Sequence, residues 1–86
     1  MSAYHLQKLC RAVNSDPAAR TRYFEEREAF VDGFTLTADE RRAVLALDID
    51  ALYGFGVHPL LLRPFTVING VSQNDYLAAL NPGKES

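Results

Sequence analysis

Gly56 and Pro59 divide the segment Leu52-Tyr53-Gly54-Phe55-Gly56-Val57-His58-Pro59-Leu60-Leu61-Leu62-Arg63-Pro64-Phe65, and no single regular element can run through both. Glycine takes the left-handed conformation that closes a helix, and proline at a first helical position gives up an N–H that would have been unpaired anyway. One helix therefore ends at Gly56 and another begins at Pro59, with His58 held at its entrance. Beyond it Leu60, Leu61 and Leu62 run without a polar gap, so this short helix must be buried, inside its own domain or against another chain. Pro64 either kinks or ends it, because proline cannot donate to the helical ladder and clashes with the preceding turn.

The flanking sequence is helical throughout. Leu6, Leu9, Cys10 and Val13 fall at the three-and-four spacing of one helix face, with Ser2 available as the cap. Asp16-Pro17 is a start signal for a helix that carries Tyr23 and Phe24 inward and ends at Gly33. It is one helix or two, with the charged run Glu25-Glu26-Arg27-Glu28 at its middle and Phe30 and Val31 beyond. Thr37-Ala38-Asp39-Glu40 fits a capping box, in which the threonine hydroxyl accepts from the Glu40 N–H while that carboxylate returns the bond. Ala43, Val44 and Leu47 then face the core, and Asp48 or Asp50 caps a short helix bearing Leu52, Tyr53 and Phe55. A last helix starts at Ser72 and buries Tyr76, Leu77 and Leu80 before Asn81-Pro82-Gly83 stops it. No alternating strand pattern is sustained, so the expected fold is all-α, a compact bundle of five or six short helices over residues 1–80, with 81–86 as a loose tail.

A chain of 86 residues buries only about 60 to 65 per cent of the surface its unfolded form exposes, so stability drawn from a partner is an expectation from the outset. The formal net charge of −2, with Lys and Arg scattered, argues against nucleic acid as a partner. No window reaches the roughly 20 apolar residues of a membrane span. The N-terminus lacks a secretory pattern, and the single Cys10 forms no internal disulfide, so the expected location is the cytoplasm.

Chemistry-bearing residues are few. A non-haem iron site needs two histidines and a carboxylate on one face of the metal. The chain has only His5 and His58, far apart and without a carboxylate at helical spacing, so no metal site is expected. His5 reads as an exposed helix residue. His58, at a helix entrance where free N–H groups favour anions, is either a ligand-facing residue or a structural helix start. Cys10 on an apolar face behaves as a small hydrophobe, and Ser2, Ser15 and Ser72 are explained as caps, so no catalytic residue is expected. Tyr53, Phe55 and Phe65 read as core.

Leu52 to Phe65 as written above, preceded by Leu36-Thr37-Ala38-Asp39-Glu40-Arg41 and followed by Gly70-Val71-Ser72, resembles the small-subunit (α-subunit) family of protocatechuate 4,5-dioxygenase-type, class III extradiol enzymes. The similarity runs from about Tyr4 to Leu80 and is most specific in Gly56-Val57-His58-Pro59-Leu60-Leu61. It implies a helical subunit, itself without catalytic or metal-binding residues, that docks on a larger subunit holding Fe(II) and covers the mouth of its active site. It also implies aromatic catabolism, in which a catechol-type ring bound at the subunit boundary is opened with dioxygen. On this reading Val57, His58, Pro59, Leu61, Leu62 and Phe65 face the partner or the pocket. The alternative is a stand-alone partner-recognition module, an adaptor or a leader-like domain gripped by a modifying enzyme, with no part in ring cleavage.

Overall fold

The capping signals divide the chain into seven helices in the computed structural model, which describes residues 3–80. They are α1 (Tyr4–Ser15), α2 (Pro17–Glu25), α3 (Arg27–Asp32), α4 (Ala38–Ala46), α5 (Ile49–Gly54), α6 (Pro59–Ile68) and α7 (Gln73–Leu80). No strand occurs among the described residues, and none of these helices is long and apolar enough to cross a membrane. The all-α class is as expected. Five of the seven run to seven residues or more, and the segment after Pro17 is two helices, broken at Glu26, whose backbone leaves the helical region (φ −136°, ψ 61°). The expected tail, the stop at Asn81-Pro82-Gly83 and the Ser2 cap lie outside the described residues; the N-cap position of α1 is Ala3, which makes no side-chain cap bond.

The remaining caps follow side-chain chemistry. The Asp16 carboxylate accepts from Ala18 N–H at 3.0 Å, with Pro17 in the first turn. At α4 both halves of the capping box form: Glu40 N–H donates to Thr37 Oγ1 at 3.1 Å and Thr37 N–H donates to Glu40 Oε1 at 2.9 Å. Of the two aspartates considered for α5, Asp48 is the cap, accepting from Ala51 N–H at 3.2 Å. Ser72 Oγ accepts from Asp75 N–H at 3.1 Å to open α7.

Two helix ends share one device. After α5, Gly56 adopts φ 107°, Val57 N–H donates to Leu52 O at 3.2 Å and Gly56 N–H to Tyr53 O at 3.0 Å. This is the Schellman arrangement, and the two residues it juxtaposes, Leu52 and Val57, are both buried. After α6, Gly70 at φ 85° does the same, with Val71 N–H on Thr66 O at 3.0 Å. Leu47 closes α4 with the left-handed conformation (φ 54°) that glycine supplies elsewhere, and packs half-buried against the core from just past the helix end.

The core is built from Leu6, Leu9, Cys10 and Val13 of α1, Tyr23 of α2, Phe30 and Val31 of α3, Ala43 and Val44 of α4, Leu52 of α5, and Leu62 and Phe65 of α6. Tyr23 meets Phe30 edge-on at 6.0 Å and Phe65 at 5.6 Å, tying α2, α3 and α6 together. Phe24, expected beside Tyr23 in the interior, is exposed, because adjacent helical residues point about 100° apart and only one can face the core. The same geometry leaves Leu77 exposed beside a buried Tyr76, while Leu80, one turn on, is half-buried and packs against the core. Among helices that are not neighbours in the chain, the main packing partners are α1 with α6 and α5 with α7.

Candidate functional site

His58 is fixed from both sides. Its backbone N–H donates to Gln7 Oε1 of α1 at 2.9 Å, and its own Nδ1 accepts the Leu60 N–H at 3.0 Å as the cap of α6. An accepting Nδ1 carries no proton, so the neutral ring keeps its proton on Nε2 and is left with a single free donor. The side chain is exposed, beside a groove of about 310 Å³ lined by Tyr4, Gln7, Lys8 and Arg11.

Helix α6 continues through Pro64 for another turn, so the proline neither ends it nor splits it in two. Its inward face is Leu62, Phe65 and Thr66, all fully buried. Its outward face is Leu60, Pro64 and Val67, at i, i+4 and i+7, with Leu60 79% and Val67 53% exposed. Tyr53 and Phe55, just before the Gly56 turn, are 49% and 38% exposed and are not core as their residue types suggested. The turn of α6 around Pro64 is anchored from behind by Asn14 Nδ2, which donates to Leu61 O at 3.1 Å. Arg63 lies over the Tyr76 ring at 4.8 Å, and Thr66 Oγ1 donates to Arg63 O at 2.8 Å.

The six residues expected to face a partner are therefore divided. Val57, Leu62 and Phe65 have no surface to offer, because Val57 is drawn inward by the Gly56 turn and the other two lie on the inner stripe of α6. His58 and Pro59 are exposed, and Leu61 is half-buried. Leu60 and Val67, outside those six, carry exposed apolar surface of α6. Their signal was present in the spacing Leu60, Pro64, Val67, which is apolar at every position and faces away from Leu62 and Phe65.

Cys10 and Tyr23 are buried ionisable side chains that lie away from the outer face of α6. Cys10 is buried on α1 and burial pushes its thiol up to about 12, far from a reactive thiolate. Tyr23 is also raised by burial, an effect opposed by the Arg27 charge and by the hydrogen bond from its hydroxyl to Asn69 Oδ1 at 2.9 Å. A second, open groove of about 500 Å³ is lined by Ala38, Arg41, Arg42, Leu45 and Ala46. Its arginines are engaged: Arg41 Nε with Asp32 Oδ1 at 2.6 Å, holding that carboxyl below its usual range, and Arg42 with Asp39 at 2.7 Å. Among the described residues no group of three or more His, Cys, Asp or Glu side chains is placed to hold a metal.

No curated protein and no solved structure matches the chain. A family model does, over residues 6–85: the LigA subunit of the aromatic-ring-opening dioxygenase LigAB. That span takes in the capping box, the Gly56 turn, the His58 cap and all of α6. A helical domain with an uncovered apolar stripe on α6 thus belongs to the LigA family, the small subunits of aromatic-ring-opening dioxygenases.

Proposed function

We propose that this chain is the non-catalytic small subunit of a class III extradiol dioxygenase, docking through α6 on a LigB-type large subunit. The family match over residues 6–85 carries the reading, and the exposed apolar stripe of Leu60, Pro64 and Val67 supports α6 as the docking face. The docking surface comprises that stripe with Pro59, Tyr53 and Phe55. Val57, Leu62 and Phe65 serve it from behind by holding α6 in place. His58 stands at the edge of the covered pocket and presents its Nε2–H outward.

The iron, in this reading, belongs to the large subunit and supplies activation of dioxygen towards a catechol-type ring. The contribution of this chain is exclusion of water and orientation of the ring at the subunit boundary. Closing a site in this way strengthens the polar interactions inside it and suppresses side reactions of labile intermediates.

Capture of the tagged chain from its native cells tests the proposal. The expected result is recovery of a large subunit with near-stoichiometric iron, and opening of a catechol-type aromatic in air that needs both chains. Recovery of the chain alone, or with an iron-free partner, would discard the ring-cleavage reading and leave the fold standing.

A further inference from the structure

Pro64 has no N–H, so the Leu60 carbonyl, its partner in the helical ladder, loses the i+4 donor that an uninterrupted helix would supply. The adjacent carbonyl shows how this turn is served where another element lies behind it, since Leu61 O accepts from the Asn14 side chain of α1 at 3.1 Å. Leu60 has no such neighbour: among the described residues no hydrogen bond from outside the helix reaches its oxygen. Its side chain is 79% exposed, and Pro64 beside it is exposed as well, so this acceptor opens between two apolar side chains on the uncovered stripe. In the free chain water is the partner available to it.

Docking changes that balance. A carbonyl buried against an apolar surface without a donor loses its hydration and gains nothing in return. The stripe can therefore be covered at low cost only by a surface that places a hydrogen-bond donor opposite Leu60. We infer that the Leu60 carbonyl is the polar anchor of the docking face, and that the large subunit covers the stripe with an apolar patch carrying one donor aimed at this oxygen. The inference rests on the docking reading above. It adds a requirement on the partner: a backbone N–H, or a neutral or cationic side-chain donor, set among apolar residues. A carboxylate opposite Leu60 would be repelled.

The test uses the intact chain and the iron-bearing large subunit purified from the captured complex. In a three-dimensional NMR spectrum the Leu60 carbonyl carbon is read through the Leu61 amide. It should move downfield when the large subunit is added, as a carbonyl does on accepting a stronger hydrogen bond. Pro64→Ala, which restores an internal donor, should leave the chain folded and at least as heat-stable, yet weaken the complex about tenfold, the equivalent of one hydrogen bond. Leu60→Asp reports on docking alone and should abolish the complex. If Leu60→Asp binds like the natural chain, the α6 face is not the docking face and the reading beneath the inference fails. If Leu60→Asp abolishes binding while the Leu60 carbon does not move, or Pro64→Ala binds as well as the natural chain, the docking face stands and the carbonyl anchor is refuted.

Discussion

Leu60 and Leu62 lie two residues apart on the same helix, and truncating each to alanine separates the two faces of α6 by energy. Leu62 has no accessible surface and packs in the core, so Leu62→Ala removes buried methyl and methylene groups and leaves a cavity, at about 3 to 5 kcal/mol. A domain of 86 residues has a total stability of about 4 to 13 kcal/mol, so the variant gives up about a quarter of it or more. At about 4 to 8 °C per kcal/mol, a loss of 3 kcal/mol lowers the melting temperature by about 12 to 24 °C. Leu60 is 79% exposed, and its replacement by alanine, a better helix former, should stay within about 0.5 kcal/mol of the natural chain. Both are measured by circular dichroism at a helix band during thermal and urea unfolding. A cost above about 2 kcal/mol for Leu60→Ala, or below about 1 kcal/mol for Leu62→Ala, would refute the assignment of faces on α6 and with it the docking stripe.

Two further perturbations probe the same fold. Cys10 titrates near 9.0 in an unfolded chain and at about 12 when folded, so its folded pKa is raised. The stability this represents is complete below pH 9.0 and drains away as pH rises towards 12, on the order of 4 kcal/mol across the interval. Urea unfolding from pH 8 to 11 should show a decline that Cys10→Ala flattens, and an equal slope in both proteins would show that the thiol is not held in the core. Gly56→Ala places an L-residue at φ 107°, with its Cβ in ordinary contact 3.4 Å from the Ala3 Cβ, so the cost is backbone strain of about 1 to 2 kcal/mol and not a clash. An unchanged melting temperature would mean that the turn between α5 and α6 does not need its left-handed residue.

Much of the helical framework was legible because its signals are local. Asp16-Pro17, the Thr37 to Glu40 box, Gly56 and Ser72 act through hydrogen bonds spanning five residues or fewer, and each forms as its residue types required. The break at Glu26 was not legible, since no glycine or proline marks it. It sits where Arg27 folds back over the Tyr23 ring, 4.5 Å from its centroid, a contact that depends on where α2 and α3 settle on the core. The exposed apolar stripe of α6 lay between. The triplet of leucines announced surplus apolar surface, but its spacing alone did not say which leucine was surplus.

By itself, then, the sequence determined that the chain is all-α, where most of its helices begin and end, and that the Gly56 to Pro59 turn organises its centre. Only the tertiary structure decided that Val57, Leu62 and Phe65 go inward, that Tyr53, Phe55, Leu60 and Val67 go outward, and that α6 continues past Pro64. The physical reason is one of range. Caps and turns are satisfied within a few residues of backbone, whereas the buried side of a short helix that is apolar all round is set by what packs against it, here α1 through Asn14 and α2 through Tyr23.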